Sequence, residues 1–339
     1  MVVIGGFCGD GGGFAADCSG YFAAYFEDEG NAIETQMRSD IRDKLRLNHS
    51  DILELNFIRS PGRFVFRRHY RAGLRSHIMA VLRPEDVKRE KEGIERDGVR
   101  WFPKAKPLKM LRVFRTRFDR LEDAMPELKR VKVVEKYLAP GYMARSNEFL
   151  VDYRIHGKYE TLLCGLQEYV EGEILDPWGL LDRHSLWALF CRMADREEHR
   201  TRLKQNEIEK WTETVRSKAG KALAQIRNMI REARLIPDLA GVGNLVLTPS
   251  GGIKLVDINN ISEVSFEADI FCDDKGYPVC DKSVEALLLM EQKLLGRSLD
   301  KTDPVYGVFL DACRMKEVQV LEKVFHRSRG PVGSSYPVG

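Results

Sequence analysis

Residues 236–260, reading IPDLAGVGNLVLTPSGGIKLVDINN, constrain the fold more than any other stretch. Two short β-prone runs, Leu245-Val246-Leu247 and residues 253–256, flank the turn Thr248-Pro249-Ser250-Gly251-Gly252, so the stretch reads as a hairpin. Asn244 stands at the entry of the first run and Asp257 at the exit of the second. Antiparallel pairing therefore brings these two side chains to one end of the hairpin. A carboxamide oxygen and a carboxylate converging there suit Mg²⁺, a hard cation usually held by one or two carboxylates together with substrate phosphates. Asp238 lies in the loop just upstream, where its carboxylate could accept a proton from an attacking hydroxyl. The same residues also fit an ordinary hairpin with polar ends.

The chain delivers this stretch from a long amphipathic segment, residues 206–235. Its Ile208, Trp211, Val215, Ala222, Ile226, Met229, Ile230 and Ala233 form one apolar stripe, and Pro237 is expected to stop the helix. Further upstream, residues 121–138 read as a second amphipathic helix, with Leu121, Met125, Leu128, Val131, Val134 and Leu138 three or four apart. Pro126 is expected to delay the start of its regular part. Residues 108–118, 147–155 and 161–170 alternate as strands, and residues 51–70 suggest a hairpin around Ser60-Pro61-Gly62. Helices are expected at residues 184–193, 282–295 and 303–326, and the Pro/Gly/Ser-rich residues 327–339 read as a flexible tail.

Composition excludes several classes. Hydrophobic residues make up 43% and charged residues 31%, which is a globular balance, and a net charge of +3 gives no polyanion signal. The arginines at 59, 63, 67, 68, 71 and 75 read as a solvated face, so nucleic acid is not expected as a partner. Seven scattered cysteines form no CxxC pair, which argues against a disulfide framework or zinc ribbon and for a reducing compartment. No run reaches the roughly 18 apolar residues of a membrane span. Residues 1–16 lack a positive leader, so a cytoplasmic location is expected. The glycines at residues 5–13 lack the Lys-Ser/Thr of a phosphate loop. Residues 1–80 read as a poorly defined, partly disordered extension, with Met79 as a plausible alternative start.

Asp238, then Asn244, then a hairpin, then Asp257 is the order of parts in kinase-type phosphoryl transfer. The segment resembles the catalytic and metal loops of the protein-kinase-like superfamily. It is similar to those of aminoglycoside phosphotransferase-like and bacterial kinase-like proteins, most of all the PhoP regulatory network family. The resemblance covers residues 100–300 and implies an α+β, two-lobed protein-kinase-like fold with a small β-rich N-lobe (81–170) and a helical C-lobe (171–326). It implies ATP and Mg²⁺ as cofactors, Asp238 as base, and Asn244 and Asp257 as metal ligands. By the same resemblance Arg112, in MLRVF, stands where the family has its phosphate-binding Lys, and Glu135, in VVEKYLAP, is its helix partner. The linker QEYVEG, with Glu168, Tyr169 and Val170, stands where the family holds adenine. The implied function is phosphate transfer to an unidentified small-molecule or protein acceptor.

The chain departs from the family pattern at several residues. The Asp–Asn interval is six residues, the family's His is Ile236, its strand Lys is Arg112, and Asp257 is followed by Ile258 in place of Phe-Gly. Those departures point to the alternative, a pseudokinase-type nucleotide-binding or regulatory scaffold without catalysis.

Overall fold

The computed structural model describes residues 39–69, 75–194, 205–258, 260–300 and 302–328. The glycine-rich residues 5–13, Arg71, Asn259 and most of the tail lie outside them. The protein is mixed α and β, with a five-stranded antiparallel sheet as its largest β element. It divides into two compact units, Met1–Leu128 with Arg145–Tyr169, and Lys129–Ala144 with Val170–Gly339.

In the first unit the elements run α1 (His49–Leu53), β1 (Val65–Arg68), β2 (Ser76–Leu82), α2 (Pro84–Glu92), the hairpin β3 (Ile94–Arg96) and β4 (Val99–Trp101), and β5 (Lys109–Phe114). The division falls inside α3 (Leu121–Leu138), after which β6 (Ser146–Ile155) and β7 (Lys158–Glu168) return to the first unit. The sheet order is β1-β2-β5-β7-β6. His156 and Gly157, with φ of 50° and 75°, supply the left-handed two-residue turn that joins β6 to β7.

Side-chain alternation gives this sheet two different faces. Leu111, Val113, Leu162, Cys164 and Leu166 form one, covered by Ile41, Leu47, Ile52, Leu55 and Phe57. Polar clamps hold that cover in place. Arg42, 1% exposed, pairs with Asp40 at 2.7 Å and also with Glu160. The Ile41 N–H donates to Tyr153 Oη at 3.1 Å, and its carbonyl lies 3.1 Å from His77 Nε2.

These contacts make the described part of residues 1–80 a portion of the sheet unit. Residues 40–58 cover the sheet, β1 and β2 belong to it, and Met79 is buried at 1% exposure in its core. The expected hairpin at 51–70 is instead α1, a short 3₁₀ turn at Pro61–Arg63, and β1, which pairs with β2. Asn48 accepts from Asp51 N–H, and Asp51 accepts from Asn48 N–H. This reciprocal cap starts a helix where alternation had suggested a strand.

The second unit holds the C-terminal part of α3, β8 (Glu173–Ile174), α4 (Arg183–Ala194), α5 (Gln205–Ala233), β9 (Leu235–Pro237), β10 (Leu245–Leu247), β11 (Ile253–Leu255), β12 (Ile261–Glu263), α6 (Val279–Leu295), α7 (Pro304–Phe309) and α8 (Ala312–Ser328). Its core runs through Val134, Leu186, Val215, Leu223, Met229, Leu247 and Leu287, so the stripe of α5 faces inward. Three local expectations change. Helix α3 keeps the expected bounds, Leu121–Leu138, and Pro126 lies inside it in the second turn without delaying its start. Helix α5 ends at Ala233, where Arg234 turns left-handed at φ 55°, and Pro237 lies in a strand paired with Ile261. The segment 303–326 is two helices, since Asp311 caps a new one by accepting from Cys313 and Arg314 N–H at 2.9 and 3.1 Å.

Among the described residues no helix is long and apolar enough to cross a membrane.

Candidate functional site

The hairpin of β10 and β11 forms with Leu245 opposite Leu255. One step beyond, Val256 N–H donates to Asn244 O at 2.8 Å, so Asn244 and Asp257 emerge at the same end. β8 adds a third strand to β10. Gly172 there runs so close to Leu247 that a Cβ would lie 2.2 Å from its carbonyl oxygen.

The loop carrying Asp238 is tied down on several sides within this unit. β9 pairs with β12, and Asp238 N–H donates to Asn260 O at 2.9 Å. Leu239 N–H donates to Ser283 Oγ at 3.1 Å, and Trp178 Nε1–H to Ala240 O at 2.9 Å. Asp238 Oδ1 accepts from the N–H groups of Ala240 and Gly241, each at 3.0 Å. Asn244, 8% exposed, donates its amide to Asp238 O at 2.9 Å. Gly241 is required for that approach, because a Cβ there would stand 2.5 Å from Asn244 Nδ2.

Asp238, Asn244 and Asp257 are therefore brought together. Burial first, and then the charge of Asp257, push the Asp238 carboxyl up to about 6, against the N–H groups of Gly241 and Ala240 and the Asn244 amide, which favour its ionised form. Tyr277 is near enough to be affected in turn: burial, Glu322 and Asp238 all raise its hydroxyl, which donates to Glu322 at 3.3 Å.

The chemistry of this donor set fits a hard cation. Two carboxylates and a carboxamide are oxygen donors, and the mutual repulsion felt by Asp238 is what a bound cation would relieve. Among the described residues no three His, Cys, Asp or Glu side chains gather to hold a metal by themselves. Such a set suits an ion that completes its shell with phosphate and water.

The other predicted residues are placed differently. Arg112 lies in β5, 1% exposed. Glu135, on α3, pairs with Lys132 at 2.6 Å, one turn earlier on the same helix. Glu168 ends β7, where its N–H donates to Arg145 O at 2.8 Å and its carboxylate pairs with Arg145 at 3.2 Å. That backbone N–H is therefore already in use. Tyr169 is 38% exposed, and Val170 begins the second segment of the second unit. Trp178, Ser283 and Asn260, which set the loop, were not singled out from the sequence. Trp178 follows the Asp176-Pro177 pair that bends the chain, a local signal, but its partner is 62 residues away.

No protein-family model matches the chain, and no curated protein matches it. Among solved structures the chain is similar to the ROP18 kinase domain in complex with AMP-PNP and sucrose, at 9% identity and a TM-score of 0.33. That match covers 79% of this chain and 83% of the other.

Proposed function

We propose that the protein is an ATP- and Mg²⁺-dependent phosphotransferase of kinase-like type, acting on a hydroxyl of an unidentified small-molecule or protein acceptor. The observation that carries this reading is the convergence of Asp238, Asn244 and Asp257, with the proton affinity of Asp238 raised to about 6. A carboxyl in that range is ionised at neutral pH yet basic enough to take up a proton, which is what a general base requires. The element order supports the reading too: strand β5, helix α3, two long strands, a linker, then a mostly helical unit.

In this mechanism Asp238 accepts the acceptor's hydroxyl proton. Its Oδ1 is held by two N–H groups, so the carboxylate is oriented before the acceptor arrives. Asn244 and Asp257 would hold Mg²⁺, which when bound supplies positive charge to the phosphates. Arg112 is the candidate phosphate cation, and the backbone of residues 168–170 the candidate adenine contact.

The test is calorimetric titration of ATP into wild type and Asp257→Ala, with Mg²⁺ and with EDTA. Binding that needs Mg²⁺ and is lost in the variant supports the reading. Binding that ignores both, or none at all, overturns it.

The second reading, a nucleotide-binding or regulatory scaffold without catalysis, is favoured by Ile236, Arg112 and Ile258, which stand where the kinase pattern has His, Lys and Phe. ATP binding without turnover of any acceptor, in wild type and Asp238→Asn alike, would select it.

A further inference from the structure

Arg112 carries a full charge in the middle of β5 at 1% exposure, and a charge that deep must be compensated. The sheet register shows where compensation can come from. Arg112 stands opposite Gly165 of β7, and Gly165 stands opposite Glu148 of β6. Residues directly opposite one another share a face, so Arg112, Gly165 and Glu148 form one row across three strands. Its middle member has no side chain. A Cβ built on Gly165 would lie 3.5 Å from Glu148 Oε1, so the carboxylate leans over the glycine from the β6 side. Ser146 Oγ donates to the same oxygen at 2.5 Å, and Glu148 is 7% exposed. Glycine inside a strand weakens it and commonly marks a place where another group must pass close by.

We infer that Glu148 is the counter-ion of Arg112, reached across the lane that Gly165 leaves open, and that this in-sheet pair stands where helix residue Glu135 was expected to serve. Resting on the phosphotransferase reading, Glu148 is then a positioning residue, which aims the guanidinium through a carboxylate that Ser146 holds by its Oε1.

A thermal-unfolding cycle on the full chain tests the pair itself, whatever the protein binds. Arg112→Met and Glu148→Gln should each lower Tm, and the double variant should lose no more than the worse single one. Losses that simply add overturn the pairing. Gly165 gives an independent measure should either charge variant fail to fold. Gly165→Ala, whose Cβ makes ordinary contact, should be tolerated, whereas Gly165→Val should block the lane and lower Tm. A tolerated valine overturns the inference.

ATP titration tests the positioning role. Glu148→Gln should weaken ATP binding about tenfold while Glu135→Gln leaves it unchanged. The reverse order, or an unaffected Glu148→Gln, overturns that role. If wild type binds no ATP, the phosphotransferase reading fails, and the unfolding cycle still decides the pair.

Discussion

Asn244 donates its side-chain amide to the main-chain carbonyl of Asp238, six residues earlier, at 2.9 Å. The bond ties the entry of the β10–β11 hairpin to the acid loop, so the separation of Asp238 and Asn244 is set by a covalently short, hydrogen-bonded turn. Gly241 makes it possible by leaving room for the carboxamide.

Gly241→Ala is expected to break this arrangement. Its Cβ would meet Asn244 Nδ2 at 2.5 Å, so the carboxamide must move. Losing a buried hydrogen bond costs about 1–3 kcal/mol. Chemical denaturation should show that loss, and Mg²⁺-dependent ATP binding should weaken with it. A variant as stable and as competent as wild type would show that the close approach does not matter.

Asp238 makes a pH prediction with a definite sign. Its carboxyl is raised to about 6 from 3.8, so between these values the folded chain holds a proton that the unfolded chain has lost. Its contribution to stability therefore falls as pH rises from about 4 to about 6, by at most about 3 kcal/mol. Asp238→Asn should remove that slope and be more stable than wild type at pH 7. Urea midpoints of both proteins at pH 4.5 and pH 7, at a fixed salt concentration, would check it. Mg²⁺ should lower the Asp238 titration midpoint, read by NMR.

His77 makes the opposite prediction in the other unit. Burial first, and then Arg115, lower its ring to about 4 from 6.5, against the favourable carbonyl of Ile41. In this window the unfolded chain binds the proton that the folded chain refuses. The stability His77 confers is therefore present above about pH 6.5 and lost as pH falls towards 4. His77→Gln, which keeps a donor for Ile41 O, should flatten this acid limb. Thermal unfolding from pH 4 to pH 7 reads the difference, and an unchanged acid limb would refute the assignment.

The segment before β1 is expected to be indispensable. A chain begun at Met79 loses β1, half of β2 and the cover formed by Ile41, Leu47, Ile52, Leu55 and Phe57. It should be insoluble or lack cooperative unfolding. The finer test is Arg42→Met, which leaves Asp40 with Arg117 alone, at 2.9 Å. Burial raises the Asp40 carboxyl, but Arg42 outweighs that and holds it below its usual value. With Arg117 still beside Asp40, the loss in urea denaturation should stay below the roughly 3 kcal/mol of an uncompensated buried charge, and a neutral effect would show that the clamp is dispensable.

Much of the second unit was legible locally. The hairpin at 245–255, the stripe of α5 and the bounds of α3 follow from period and turn chemistry, which act within a few residues. The ends of helices were less legible where an unusual conformation decided them. Nothing in the type of Arg234 announces a left-handed residue, and Asp311 as a cap is plain only once two N–H groups point at it. Residues 40–50 escaped altogether and residues 51–58 read as a strand, because their apolar positions have no clear period of their own. They are spaced to fit the surface of a sheet formed by other residues.

The candidate site divides in the same way. By itself the sequence determined that Asn244 and Asp257 share one hairpin end, since antiparallel pairing across a short turn leaves no other register for its apolar runs. Only the tertiary structure decided which groups hold Asp238, raise its proton affinity and stand in line with Arg112. Trp178, Ser283 and Asn260 reach the loop from elsewhere in the chain, and Glu148 shares a sheet row with Arg112 from 36 positions away. Burial and charge proximity are properties of assembled surfaces, and no local pattern of residue types encodes which distant strand or helix supplies the partner.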